Sequence, residues 1–87
     1  MYLHIGNNNI VKETDLIAIY NIDSIKETEE YKRIVNDLTS SHSLIKEEGV
    51  EEKSLIIAKT EDKIIGYISN ISSTTIAKRT EMNMKVK

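Results

Sequence analysis

Residues 53–79, KSLIIAKTEDKIIGYISNISSTTIAKR, constrain the fold more than any other part of the chain. Ser54 to Ala58 is an apolar run rich in β-branched residues, Thr60-Glu61-Asp62 supplies turn chemistry, and Lys63 to Ser69 returns as a second strand. An antiparallel hairpin is the expected result. Gly66 inside the returning strand predicts a bulge or a close approach by another backbone. Ser72 or Ser73 then caps a short helix from Thr74 to about Thr80, with Ile76 and Ala77 docking and Lys78 and Arg79 pointing outward.

The rest of the chain must supply partners for that unit. Tyr2 to Ile5 alternates, Gly6-Asn7-Asn8-Asn9 interrupts, and Ile10-Val11 resumes, which predicts a second hairpin because Gly and Asn tolerate positive φ. Leu16 to Ile22 is apolar on both parities, as for a strand that is central or covered on both faces. Ser24 and Glu27 have the spacing of a capping box, so a helix is expected to start there. Its stripe is Tyr31, Ile34, Val35 and Leu38, with Glu29, Glu30, Lys32, Arg33 and Asp37 on the opposite side. Ser43 to Ser54, polar and acidic with Gly49 at its middle, is expected to be a long loop. These readings define an α+β fold. It is a single domain over residues 1–80, with a mainly antiparallel sheet of about five strands, one amphipathic helix and a short C-terminal helix.

Eighty-seven residues bury only roughly 60 to 65% of the unfolded chain's surface, leaving a thin core that partners can complete. With no cysteine, disulfides and thiolate metal sites cannot staple it, and self-association is the remaining staple. No stretch approaches ~20 consecutive apolar residues, and MYLHIGNNN has no leader character, so a cytoplasmic protein without membrane contact is the expectation. Charge is uneven along the chain. Residues 1–40 carry four basic and seven acidic side chains, residues 41–62 three and six, and residues 63–87 five and one. Only the last quarter is basic, and residues 81–87 are expected to form a mobile basic tail.

Recognisable catalytic chemistry is not evident. His4 and His42 lie in different elements, neither with an Asp, Glu or His at metal-ligand spacing. No nucleophile elbow or oxyanion-hole glycine pattern accompanies His42 and its neighbouring serines, and Gly6 with the Asn run is not a phosphate loop. Four carboxylates, Glu47, Glu48, Glu51 and Glu52, crowd six residues without EF-hand spacing, which reads as a solvated acidic loop. No enzyme activity, metal or cofactor is expected.

Both ends of the chain resemble the RemB-like branch of the RemA family of small bacterial regulators. The resemblance rests on MYLHIG, on Ile10-Val11 and Asp15-Leu16-Ile17-Ala18-Ile19, on Lys53-Ser54-Leu55-Ile56-Ile57, and on Ser69 to Arg79. It covers residues 1–25 and 53–80, while the helix and acidic loop between match in position but hardly in residues. It implies a small α+β fold, a ring-like homo-oligomer, and DNA binding that activates biofilm-matrix genes. In RemA-like relatives an arginine cluster precedes the strand corresponding to Ser54–Ala58. Here Glu47, Glu48, Glu51, Glu52 and Lys53 occupy that place, and Asp15 stands where another basic residue is expected. Phosphate contact needs cations, so the candidate DNA-binding residues are Lys12, Lys53, Lys63, Lys78 and Arg79. The alternative is an oligomeric adaptor that binds a basic protein, not DNA, through Glu47, Glu48, Glu51 and Glu52.

Overall fold

The computed structural model describes residues 1–80. Strands β1 (Tyr2–His4) and β2 (Ile10–Lys12) form an antiparallel two-stranded sheet. A 3-10 turn, Glu13–Asp15, leads into β3 (Leu16–Asn21), followed by the single-turn helix α1 (Ile22–Ile25) and the main helix α2 (Glu29–Ser40). Strands β4 (Leu44–Ile45), β5 (Ser54–Thr60) and β6 (Lys63–Ser69) follow, and helix α3 (Ser73–Arg79) closes the chain. The larger sheet has the order β3-β5-β6-β4, antiparallel except for the β4–β6 pair. The α+β architecture agrees with the sequence. The strands, however, divide into sheets of two and four, and one pair is parallel.

This sheet is the middle of three layers. On one face Ile19 and Ile56 pack against Leu3, Ile5 and Val11 of the β1–β2 hairpin and Ile76 of α3. On the other, Ala18, Leu55, Ile57 and Ile68 meet Leu38 of α2. The two clusters use alternate residues of β5, as the pleat requires.

Three tethers hold the hairpin, two to the sheet and one to α3. Asn7 Nδ2 donates to the Ile68 carbonyl at 3.1 Å, Ser69 Oγ donates to the Ile5 carbonyl, and Arg79 Nη1 donates to the His4 carbonyl at 2.7 Å. Gly6 makes the approach possible. Its φ is +96°, and a Cβ there would lie 2.7 Å from Ser69 Oγ.

Three local features differ from the sequence reading, and at β3 the structure decides between two alternatives. Of the two alternatives for β3, the second holds: it is an edge strand covered on both faces. A register shift between Leu16 and Ala18 leaves Ile17 as the extra residue of a bulge, so that Leu16 and Ile19 share a face. That is why both parities are apolar. The main helix starts at Thr28 and not at Ser24. Thr28 Oγ1 accepts from Tyr31 N at 3.1 Å and donates to the Ile25 carbonyl at 2.7 Å, which ends α1 and caps α2 together. The segment expected to be a loop contains β4, whose neighbour Ser43 accepts the Gly66 amide at 2.9 Å. Gly66 lies in unbroken register, so no bulge forms. The close neighbour is the Leu38 side chain, whose Cδ1 would be 2.5 Å from an added Cβ. The expected basic tail, 81–87, lies outside the described residues.

Candidate nucleic-acid interface

The five candidate cations separate into two groups. Lys12, Lys78 and Arg79 belong to the layer made by the β1–β2 hairpin and α3. In β1 and β2, Leu3, Ile5 and Val11 point into the core, so the alternation turns Tyr2, His4, Ile10 and Lys12 outward. Tyr2 is the cross-strand partner of Lys12, and His4 that of Ile10. The Arg79 bond to the His4 carbonyl therefore brings the end of α3 to the strand pair that carries Lys12. Two residues of strand, roughly 7 Å, separate Ile10 from Lys12.

Arg79 is thereby committed to a structural contact. Among the described residues it neither caps its own helix nor pairs with a carboxylate, and its donation to β1 fixes α3 against the hairpin. The Ser72 side chain caps α3 by accepting from Thr75 N at 3.2 Å, and the last turn carries Lys78 and Arg79, as the negative end of the helix dipole favours.

Lys53 and Lys63 lie elsewhere. Lys53 directly precedes Ser54, which pairs with Ser69, and Lys63 pairs with Thr60, so the two occupy opposite ends of the β5–β6 hairpin, roughly 20 Å apart along the strands. Lys53 is 4.0 Å from Glu51, an exposed pair of little energetic weight. Of the five residues named from the sequence, three belong to one layer of the fold and two to the ends of another hairpin.

All four candidate partner-binding carboxylates, Glu47, Glu48, Glu51 and Glu52, are exposed. Glu52 lies 3.7 Å from Lys46 and Glu51 reaches Lys53, whereas among the described residues Glu47 and Glu48 form no ion pair. The loop also reaches α2. Burial raises the Tyr31 phenol above its ordinary pKa, and the negative charge of Glu52 raises it further. His4 and His42 stand apart, His42 being exposed in a turn at φ +57°. Among the described residues no group of three or more His, Cys, Asp or Glu side chains is placed to hold a metal ion, and no helix is long and apolar enough to cross a membrane.

The sequence reading did not single out Tyr2 and Ile10, which are 65% and 51% exposed beside Lys12. The signal was present in the alternation of residues 2–5, which already assigns Leu3 and Ile5 to the inside and Tyr2 to the outside.

No curated protein shows a significant match to the chain. A family model described as RemA-like, extracellular matrix regulatory protein A-like, matches residues 2–80 and thus spans the hairpin, the sheet and α3. The chain belongs to the RemA-like family of extracellular matrix regulatory proteins.

Proposed function

We propose that this chain is a RemB-like, non-enzymatic regulator of extracellular-matrix (biofilm) gene expression that works in the cytoplasm as a ring-like homo-oligomer and contacts DNA through the hairpin–α3 layer. The observation that carries the DNA contact is the Arg79–His4 tether, which brings Lys78 to the same outer layer as Lys12 and Tyr2. Two or three phosphate contacts are weak for one subunit. An assembly multiplies them, because each neutralised phosphate releases counterions and the contributions add. Self-assembly draws support from the unpaired edge of β3 and from the exposed Ile17 on that strand.

A second reading is favoured by Glu47 and Glu48, exposed and without an ion pair among the described residues, which would suit an adaptor that engages a basic protein. Electrophoretic mobility shifts on matrix-gene promoter DNA at low and moderate salt separate the two. Retardation that weakens with salt and disappears in Lys12→Glu/Lys78→Glu supports the regulator. No binding at either salt, with an intact multimer in light scattering, removes the direct contact and leaves the adaptor.

A further inference from the structure

The face of the large sheet under α2 is incompletely covered. Between α2 and the β5–β6 turn lies a groove of about 520 Å³ whose floor is Tyr20, Ile57 and Ile64 and whose wall is Ile34 and Leu38. Ile64 is 41% exposed there, in a sheet whose other face is sealed. The rim is charged: Asp37 on the helix side, Asp62 and Lys63 on the turn side, a net charge of −1.

We propose that this groove receives residues 82–87 of a second copy of the chain. Residues 81–87 lie outside the described structure, and their sequence is Glu81-Met82-Asn83-Met84-Lys85-Val86-Lys87. Met82, Met84 and Val86 alternate with polar residues, so an extended segment places three apolar side chains on one side. Methionine's flexible thioether suits an irregular apolar floor. Lys85 and Lys87 give the segment a side-chain charge of +2, opposite in sign to the rim.

The choice of a second copy follows from the opposite faces on which α3 and the groove lie. α3 packs by Ile76 against the hairpin side of the sheet, while the groove opens on the α2 side. Met82 is two residues beyond Thr80, a span of roughly 7 Å, and the layers on the two faces each stand about 10 Å from the sheet. The proposal deepens the self-assembly part of the reading above by naming the segment that is exchanged.

The chain's lack of cysteine makes a cross-linking test unambiguous. Full-length Ile64→Cys is mixed with full-length Met84→Cys under mild oxidation, with Lys46→Cys plus Met84→Cys as the control. Bridging requires Cα atoms within ~4–7 Å, so the Ile64→Cys mixture should form the mixed disulfide dimer about tenfold faster than the control. Adding Asp37→Lys and Asp62→Lys to the Ile64→Cys chain should slow it several-fold. Two results overturn the proposal: a rate equal to the control, or an Ile64→Cys/Met84→Cys double variant that closes on itself as a monomer. If the first occurs while light scattering still finds the wild-type multimer, the groove belongs to another occupant and the self-assembly reading stands.

Discussion

The two faces of the four-stranded sheet are finished differently. Under the hairpin and α3, Ile5, Ile19, Ile56 and Ile76 are completely buried, two side-chain bonds tie the covering layer to β6, and a third joins its two parts. Under α2, only Leu38 of the helix stripe is fully buried, while Tyr31, Ile34 and Val35 are half-buried and Ile64 is exposed. A thin 87-residue core cannot seal both sides. The face sealed by the hairpin and α3 presents cations on its outer surface, whereas the face under α2, although it too buries Leu55 completely, stays open at Ile64.

The largest test of that contrast is truncation on the sealed face. Ile56→Ala should lower unfolding free energy by about 2–5 kcal/mol in urea titrations, whereas Ile64→Ser on the open face should change it by no more than about 0.5 kcal/mol. Comparable losses would erase the distinction between the faces. Gly66→Ala should cost about 1–3 kcal/mol, because its Cβ runs into Leu38, and Leu38→Ala in the same chain should cancel part of that loss in a double-mutant cycle. Thr28→Ala should cost about 1 kcal/mol while Ser24→Ala leaves stability nearly unchanged, which locates the cap of the covering helix. The smallest effect is alkaline. The raised Tyr31 pKa means that the folded state favours the neutral phenol. Its contribution is fully present below the unfolded value of about 10 and is lost as pH rises through the higher folded value. Tyr31→Phe should flatten that alkaline limb in thermal melts.

Much of this fold was legible because it is local. The Thr60-Glu61-Asp62 turn chemistry places Glu61 and Asp62 at φ +50° and +68°, and the Gly6-Asn7-Asn8 run adopts positive φ throughout. Features decided by tertiary context were not legible. Thr28 outcompetes Ser24 as a cap because its hydroxyl also bonds the Ile25 carbonyl, a choice that the spacing of Ser24 and Glu27 does not reveal. Strand β4 is two residues long, too short for any periodicity, and exists through pairing with Gly66 and Tyr67. The bulge at Ile17 makes an edge strand look like a central one. At the candidate site the cations were identifiable by type, but their division was not. It depends on a bond spanning 75 positions, from Arg79 to His4, and on the length of the β5–β6 hairpin, which separates Lys53 from Lys63.

The salt dependence of DNA affinity tests the central claim most directly. Log affinity for matrix-gene promoter DNA should fall linearly with log salt, and Lys12→Ala/Lys78→Ala should reduce that slope by about 1.8 per engaged subunit, at ~0.9 per lost phosphate contact. Lys53→Ala/Lys63→Ala should leave it unchanged. Equal reductions from both pairs, or a wild-type protein without affinity at low salt, would contradict a DNA surface on the hairpin–α3 layer.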